Sequence, residues 1–212
     1  MDTVKTKIKN PERIRKKQEQ ICRGAMKVFK TKGFHAASIR EIASAARMSI
    51  GSLYDYIEKK DDILFLLHKD ILDKIYQRLN ESLRRFDDPA EQLVSVLREL
   101  FLLTCQMREE MLFVYTETKS LEKKYLYEVL RKEAEFVSEL ESIIKRGIEK
   151  GVFECQKSAL LANIIIFIGA IIPMRGWNIL PQFSEEETLE ELIDMIMKKL
   201  NVKFPQKATH TI

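Results

Sequence analysis

Glycine and proline are scarce in this chain of 212 residues, which contains 7 Gly and 5 Pro. No Asn-Gly or Asp-Gly pair lies between alternating apolar stretches, although such pairs are the strongest local signal of a β-hairpin. This shortage of turn-forming residues argues against a β-sandwich or β-barrel. With 45% hydrophobic residues, the chain still has enough apolar side chains for a sizeable core. The sequence therefore predicts an all-α fold.

Cysteine, histidine and long apolar runs are also few. The three cysteines, Cys22, Cys105 and Cys155, lie far apart, which favours free thiols in a reducing cytoplasm. The longest apolar run, residues 159–172, is shorter than the roughly 20 residues that cross a bilayer. The histidines form no His-Glu-x-x-His motif, and no Cys-x-x-Cys pair, Walker loop or dinucleotide fingerprint occurs. We therefore expect a cytoplasmic protein that is not an enzyme, uses no cofactor or metal, and has no membrane partner.

Positive charge is concentrated at one end of the chain. Residues 1–60 carry 15 Lys or Arg and 6 Asp or Glu, a net charge of +9, whereas the whole chain carries only +4. Residues 61–212 therefore have a net charge of −5. Such an asymmetry indicates that the first part meets a polyanion. Within this basic part, residues 1–9 contain three lysines and no helical apolar period, which predicts a flexible basic arm.

Start signals and apolar spacing predict two short helices close together after a longer first one. The first helix begins near Asn10-Pro11 and ends at Gly33. Ser38 and Glu41 form a capping box at the start of a second helix, and Ser49 can cap a third about two residues after the second ends near Arg47. Two short amphipathic helices separated by about three residues form a helix-turn-helix.

The rest of the chain is predicted to be helical as well. Helices are expected from Asp61 to about residue 85, over residues 88–107, 108–119 and 121–150, from Ser158 to a break near residues 173–177, and from Ser184 to the region of Leu200. No repeat or flexible linker separates these segments.

Several short stretches between residues 21 and 64 stand out. They are Ala25 and Phe29, Gly33-Phe34, residues 38–43 (SIREIA), and above all residues 49–56 (SIGSLYDY) followed by Lys60 and residues 61–64 (DDIL). In this combination they resemble the DNA-binding domain of the tetracycline-repressor-like (TetR/AcrR) family. The resemblance implies a three-helix DNA-binding head, a fourth helix that joins it to a larger ligand-binding body, and a homodimer formed by the last two helices. The chain departs from the family at Arg47, where Gly is usual, and at Ile57, where an aromatic residue is common.

The chemistry of the third helix agrees with a role in DNA recognition. Small residues at its first turn, Gly51 and Ser52, can enter a major groove about 12 Å wide. Tyr54 and Tyr56 can donate to phosphate oxygens while their rings lie against the sugar backbone, although Tyr54 can equally pack in the core of the head. The predicted DNA-binding residues are Ser38, Arg40, Arg47, Ser49, Ile50, Gly51, Ser52, Tyr54, Tyr56 and Lys60.

Methionines and aromatic residues cluster in the middle of the chain. Plain core packing explains each of them singly, but the resemblance implies that some line an apolar effector cavity. Asn163 is notable because an amide inside an apolar run needs a hydrogen-bond partner. The predicted ligand-binding residues are Leu67, His68, Ile71, Phe101, Met107, Arg108, Met111, Tyr115, Asn163 and Phe167.

The two last predicted helices carry the apolar faces expected of a dimer interface. The helix from Ser158 is apolar nearly all round, and the last helix has one clean apolar stripe. Together they can form half of an isologous four-helix interface, although burial within one subunit is the alternative. The predicted interface residues are Ile165, Ile168, Leu189, Leu192, Ile193 and Ile196.

These observations predict a ligand-responsive transcriptional regulator with two domains, a helix-turn-helix domain over residues 1–60 and an effector-binding and dimerisation domain over residues 61–212. We expect a repressor that binds a palindromic double-stranded operator as a homodimer. An apolar small molecule, with fatty acyl-coenzyme A as the favoured example, would release it. One alternative is a regulator of a drug-efflux gene that senses lipophilic or cationic compounds. The other is a helical interaction protein with a basic tail and no DNA specificity.

Overall fold

A computed structural model of the chain describes residues 4–202, and over this range the regular structure is entirely helical. The all-α prediction is therefore confirmed. The helices are α1 (Pro11–Ala36), α2 (Ile39–Ala45), α3 (Ile50–Leu53), α4 (Lys60–Leu83), α5 (Pro89–Gln106), α6 (Arg108–Glu117), a 3-10 turn (Thr118–Ser120), α7 (Lys123–Glu149), α8 (Ser158–Gly169), α9 (Ile171–Ile179) and α10 (Glu185–Lys199).

The first helices begin at the residues that the sequence marks, whereas α1 continues to Ala36 beyond its predicted end at Gly33. The side chain of Asn10 accepts a hydrogen bond from the backbone N–H of Arg13 and so caps α1. Gly33 has a φ of 74°, a left-handed conformation that interrupts α1 near its end. At α2, Ser38 and Glu41 form both halves of the capping box. The local signals in this part of the sequence are therefore obeyed.

The helix-turn-helix depends on a close approach between α1 and α2. A Cβ atom added at Gly24 would lie 2.6 Å from the backbone nitrogen of Ala46, a separation that packed atoms do not tolerate. Gln20 strengthens the same contact, because its side-chain amide donates to the Ala46 carbonyl oxygen at 2.6 Å. A glycine in α1 thus sets how closely α2, and the turn that leads to α3, pack against it.

Two helix boundaries differ from the predicted ones. Helix α3 ends at Leu53, so Tyr54 and Ile57 follow it instead of extending its stripe. The break after α8 falls at Ala170, not at residues 173–177. Pro173 stands in the first turn of α9, where the backbone N–H that proline lacks would have no helical partner, and it therefore fits inside the helix.

Contacts divide the chain into two compact units. Unit 1 comprises the residues up to Gln77 together with Met107–Glu133, and unit 2 comprises Arg78–Gln106 and the residues from Ala134 onwards. Unit 1 therefore combines α1–α3 with most of α4, with α6 and with the start of α7. The predicted domain boundary at residue 60 stays a prediction.

No single helix among residues 4–202 is both long and apolar enough to cross a membrane. The pair α8 and α9 passes the same test of length and composition when the two are taken together, but they are bent by 53° at their junction.

Candidate functional site

The first turn of α3 is the most accessible part of the helix-turn-helix. Ser49 caps it by accepting a hydrogen bond from the Ser52 backbone N–H at 3.1 Å. Ser49, Ile50 and Gly51 are exposed, and a Cβ atom added at Gly51 would meet no atom within 4 Å. Leu53 is fully buried and anchors the other side of the helix. This arrangement presents small side chains on a fixed helix end, as entry into a major groove requires.

The two tyrosines after α3 have different surroundings. Tyr54 is 39% exposed, so the alternative of burial in the head core does not apply to it. Tyr56 is buried, and its hydroxyl oxygen accepts a hydrogen bond from Arg13 Nε at 3.1 Å. The predicted placement of the Tyr56 ring against the sugar backbone is therefore corrected, because the ring fills the head core.

Lys60 lies at the start of α4 but is engaged by the end of α1. Its ammonium group donates to the carbonyl oxygens of Phe34, His35 and Ala37 at 2.9 to 3.0 Å, and it lies 4.7 Å from the centroid of the Phe34 ring. These carbonyls end α1 and carry partial negative charge. Lys60 therefore joins α4 to α1, and its predicted contact with DNA stays a prediction.

Three other predicted DNA contacts lie on the surface around α2. Ser38, Arg40 and Arg47 are exposed. Arg47 has a φ of 54°, the left-handed conformation in which a residue other than glycine costs roughly 1 kcal/mol. The family's usual glycine at this position is thus explained by the backbone. A guanidinium at this strained position keeps enough reach for a phosphate oxygen.

A buried carboxylate, which the sequence analysis missed, holds the segment after α3 in place. Asp62 Oδ2 accepts hydrogen bonds from the backbone N–H groups of Glu58 and Lys59 at 2.8 and 3.0 Å, and Asp62 Oδ1 accepts one from the Tyr125 hydroxyl at 2.6 Å. Burial, together with the hydrogen bond to Asp62, raises the pKa of Tyr125. An acidic residue in the first turn of a helix is a usual capping signal, but no pattern in the sequence indicates its pairing with Tyr125.

Helix α6 packs directly on α1 within unit 1. The rings of Phe29 and Phe113 are stacked with centroids 5.6 Å apart, and Lys30 Nζ lies 2.5 Å from a carboxylate oxygen of Glu109 and 3.2 Å from one of Glu110. The hydrogen bonds to Glu109 and Glu110 raise the pKa of Lys30 against its partial desolvation. A displacement of α6 would therefore disturb its contacts with α1.

Most of the predicted effector residues come from α4 and from the segment that contains α6, and these residues lie in unit 1. Leu67, Ile71 and Met111 are buried, and Met107, Arg108 and Tyr115 are half-buried.

His68, which lies on α4 in unit 1, is fully buried. Its Nδ1–H donates to the Leu64 carbonyl oxygen at 3.0 Å, and its Nε2 lies 3.4 Å from the Thr118 hydroxyl oxygen. Burial lowers the pKa of His68, so the imidazole is neutral at neutral pH and links α4 to the end of α6.

Glu133, an acidic residue of α7 in unit 1, was not among the predicted site residues. Burial raises the pKa of Glu133. The pKa values of Tyr76 and Tyr115 are raised by burial first and by the charge of Glu133 second. Two tyrosines and a carboxyl group therefore share one partly desolvated environment between α4, α6 and α7. The 3.6-residue helical period of α7 does not reveal such a cluster, because its members come from three distant segments.

The predicted effector residues of unit 2 do not line a ligand cavity there. Phe101 is buried beside a cavity of about 10 Å³, which has room for no more than a single water molecule. Asn163 is exposed and donates to the Ala159 carbonyl oxygen at 2.8 Å, so its own helix satisfies the amide. Phe167 is 61% exposed. The predicted inward orientation of Asn163 and Phe167 is therefore corrected.

The predicted dimer residues are also placed differently. Ile165, Leu189, Ile193 and Ile196 are buried within unit 2 and line the same small cavity, to which the half-buried Ile168 and Leu192 also contribute. Because these side chains already pack inside one subunit, the alternative of intramolecular burial holds for them. A different apolar set is exposed on α8, α9 and α10: Leu160, Ile164, Phe167, Met174, Trp177 and Met195.

Comparisons with known proteins agree with this architecture. A family model described as "Bacterial regulatory proteins, tetR family" matches residues 21–67, and another described as "Tetracyclin repressor-like, C-terminal domain" matches residues 87–178. The chain belongs to the TetR family of transcriptional regulators. Members of the TetR family are DNA-binding regulators and not enzymes. The first match covers α2, α3 and their surroundings, so the exposed turn of α3 lies in the family's DNA-binding domain.

Relatives of this TetR-family chain include other transcriptional regulators, and the name of one of them refers to fatty acid metabolism. The HTH-type transcriptional regulator HbdR of Aromatoleum sp. (strain CIB) is 28% identical over 198 residues, which cover 90% of this chain and 83% of that protein. The fatty acid metabolism regulator protein of Bacillus subtilis (strain 168) is 26% identical over 156 residues, which cover 72% of this chain and 79% of that protein. The solved structure of AibR in complex with isovaleryl coenzyme A and operator DNA matches with a TM-score of 0.73 at 20% identity, covering 84% of this chain and 97% of that one. This last likeness concerns the fold.

Proposed function

We propose that this regulator is a repressor that binds an inverted-repeat operator as a homodimer and is released by an apolar small molecule. The observation that carries the proposal is the exposed first turn of α3, in which Ser49, Ile50 and Gly51 stand clear of the head while Leu53 anchors the helix. Arg40 and Arg47 lie on the same part of unit 1 and are exposed. The test is selection from a random duplex library, which should enrich two half-sites related by inversion and spaced by about one helical turn or a multiple of it. Enrichment of no inverted repeat would contradict the proposal.

The dimer is proposed to form through the exposed apolar face of α8, α9 and α10. Phe167 and Trp177 are 61% and 72% exposed, and side chains of this size dominate protein interfaces. Large exposed apolar side chains that lie close together mark an interaction site. Since helices of one subunit carry this face, a second copy with the same face can cover it in a symmetric, isologous arrangement.

Phe167→Glu should shift the protein from dimer to monomer in sedimentation, because the interface would have to bury an unpaired carboxylate. The expected change is at least a hundredfold in the dimer dissociation constant, which corresponds to about 2.7 kcal/mol. The matched variant Ile193→Glu places the same charge in the interior of unit 2 and should lower the unfolding temperature much more than Phe167→Glu does. A Phe167→Glu protein that sediments as the wild-type dimer would place the interface elsewhere.

The effector is proposed to contact the layer formed by α4, α6 and the start of α7. Leu67, Ile71 and Met111 supply buried apolar surface there, and methionine adapts readily to the shape of a ligand. A ligand that wedges beside Leu67 would tilt α4, which carries the contacts of Lys60 and Asp62 with the head. A fatty acyl thioester is the favoured class, supported by the fatty acid metabolism regulator among the relatives and by the isovaleryl coenzyme A bound to AibR.

A second effector class is supported by the acidic group on α7. Glu133 acts on the pKa values of Tyr76 and Tyr115, and a carboxyl group near aromatic rings suits a lipophilic cation. Calorimetric titration of the protein with acyl-coenzyme A esters and with quaternary ammonium compounds of equal chain length compares the two classes.

Effector and operator should oppose each other by the same factor. A ligand that lowers operator affinity a hundredfold must favour the released state by about 2.7 kcal/mol, and the operator must then weaken ligand binding a hundredfold. Calorimetric titration of the protein with and without saturating operator measures this directly. Equal ligand affinity in both titrations would exclude the switch while leaving the DNA-binding dimer intact.

A further inference from the structure

The segment before α1 is held against the helix-turn-helix instead of being the flexible arm that the sequence predicts; its residues 1–3 lie outside the described range. The backbone N–H of Lys7 donates to the Asp55 carbonyl oxygen at 2.9 Å, and the Thr6 hydroxyl donates to the Ile8 carbonyl oxygen at 2.8 Å. Val4 is buried, with 6% of its surface exposed. A contact with Asp55 places this segment beside the two tyrosines that follow α3. We call residues 4–9 the docked arm.

More buried and fully exposed side chains alternate along the docked arm, in step with the alternation of lysine and other residues in its sequence, VKTKIK. Val4 is buried and Thr6 and Ile8 are half-buried, whereas Lys5, Lys7 and Lys9 are all exposed. Alternation with a period of two places side chains on opposite faces of a segment. Because the apolar and hydroxyl-bearing side chains face the protein, all three ammonium groups remain accessible to solvent.

The docked arm also changes the charge beside the recognition helix. The segment that follows α3, residues 54–60, carries two acidic residues, Asp55 and Glu58, and two lysines, so its net charge is zero. Lys5 Nζ lies 4.0 Å from a carboxylate oxygen of Glu58, and both side chains are well exposed, so the pair is weak. Three lysines in this place give a segment that is neutral by itself a local excess of positive charge.

We propose that the docked arm is a second DNA-contacting element, in which Lys5, Lys7 and Lys9 bind backbone phosphates of the duplex beside the segment read by α3. The inference rests on the proposed function, because the operator supplies the phosphates. Phosphate contacts carry no sequence information but position the protein on the duplex. A docked arm is already ordered before binding, so less conformational entropy is lost in the complex than for a free tail.

The test is the salt dependence of DNA affinity for Lys5→Gln/Lys7→Gln/Lys9→Gln. Each phosphate contact contributes about 0.9 to the slope of log K against log[salt]. Loss of all three contacts should reduce the slope by about 2.7 per bound protomer. Between 50 mM and 200 mM salt, the wild type should therefore lose about 40-fold more affinity than the triple variant loses. The selected operator and a random duplex should respond alike, so the ratio of specific to non-specific affinity should stay at the wild-type value.

Two further variants make the result decisive. Lys123→Gln/Lys145→Gln/Lys150→Gln removes the same charge from exposed lysines of α7 and the turn after it, and it should leave the slope nearly unchanged. Val4→Ser keeps all three lysines but loosens the arm, and it should weaken binding a few fold with little change in slope. The unfolding temperature of each variant shows whether it is folded.

Three results would overturn the inference. They are a wild-type slope in the arm triple variant, an equal loss in the α7 control, and a changed base preference, which would indicate base reading instead of phosphate contact. The random-duplex titration gives the first two readouts even if selection yields no operator. Failure of the proposed function is therefore distinguishable from failure of the arm.

Discussion

Gly51→Leu should abolish operator binding without harming the fold. A Cβ atom at Gly51 meets no protein atom within 4 Å, so the larger side chain causes no clash in the free protein, and leucine has a better helix propensity than glycine. In the complex the same side chain would occupy space that the edges of the bases need. We expect at least a hundredfold loss of specific affinity, about 2.7 kcal/mol, in a fluorescence anisotropy titration, with an unchanged or raised unfolding temperature.

Arg40→Ala provides a graded comparison for this prediction. Arg40 is exposed on α2, and a lost bidentate contact to guanine costs about 1 to 3 kcal/mol with relaxed base preference at one position. A Gly51→Leu protein that binds the selected operator as tightly as the wild type would show that the first turn of α3 does not enter the groove.

Asp62→Ala should lower the free energy of unfolding by about 3 to 5 kcal/mol. Three hydrogen bonds to a buried carboxylate would be lost, from the backbone of Glu58 and Lys59 and from Tyr125. A hydrogen bond to a charged group contributes about 1.5 to 3 kcal/mol, partly offset here by the desolvation of the carboxylate. Chemical denaturation at one fixed protomer concentration measures the change, since a dimer's stability depends on concentration.

Neighbouring substitutions separate this role from a general effect of charge at the start of α4. Tyr125→Phe removes one of the three bonds and should cost a fraction of the full loss. Asp61→Ala removes a half-buried acidic residue at the same helix end, which is worth only about 0.3 to 1 kcal/mol. Equal losses for Asp61→Ala and Asp62→Ala would show that helix-end charge, and not the buried network, is what matters.

Local signals in the sequence were sufficient for the helix-turn-helix. The capping box of Ser38 and Glu41, the cap at Ser49 and the stop at Gly33 each act within four residues, so a reader of the sequence can find them. The departure from the family's usual glycine at Arg47 falls where the backbone is left-handed.

Long-range pairing could not be found in the same way. Tyr56 and Lys60 have side chains that suit DNA, but the structure gives them partners at Arg13 and at the end of α1, 43 and 23 to 26 residues away. For α8 and α10 the error was different. A helix that is apolar nearly all round has an inner and an outer face of similar character, so composition cannot tell Ile165, which is buried, from Phe167, which is exposed.

The composition of unit 1 determines how the DNA-binding head of this regulator can be exchanged with that of a relative. In the head, Phe29 stacks on Phe113 and Lys30 pairs with Glu109 and Glu110, and these partners all come from the segment Met107–Glu133. A chimera joined at a single point after α3 would therefore combine a head from one parent with supporting side chains from another. A transplant that carries both segments of unit 1 keeps the native partners together, so the transferable piece of this protein is discontinuous in sequence.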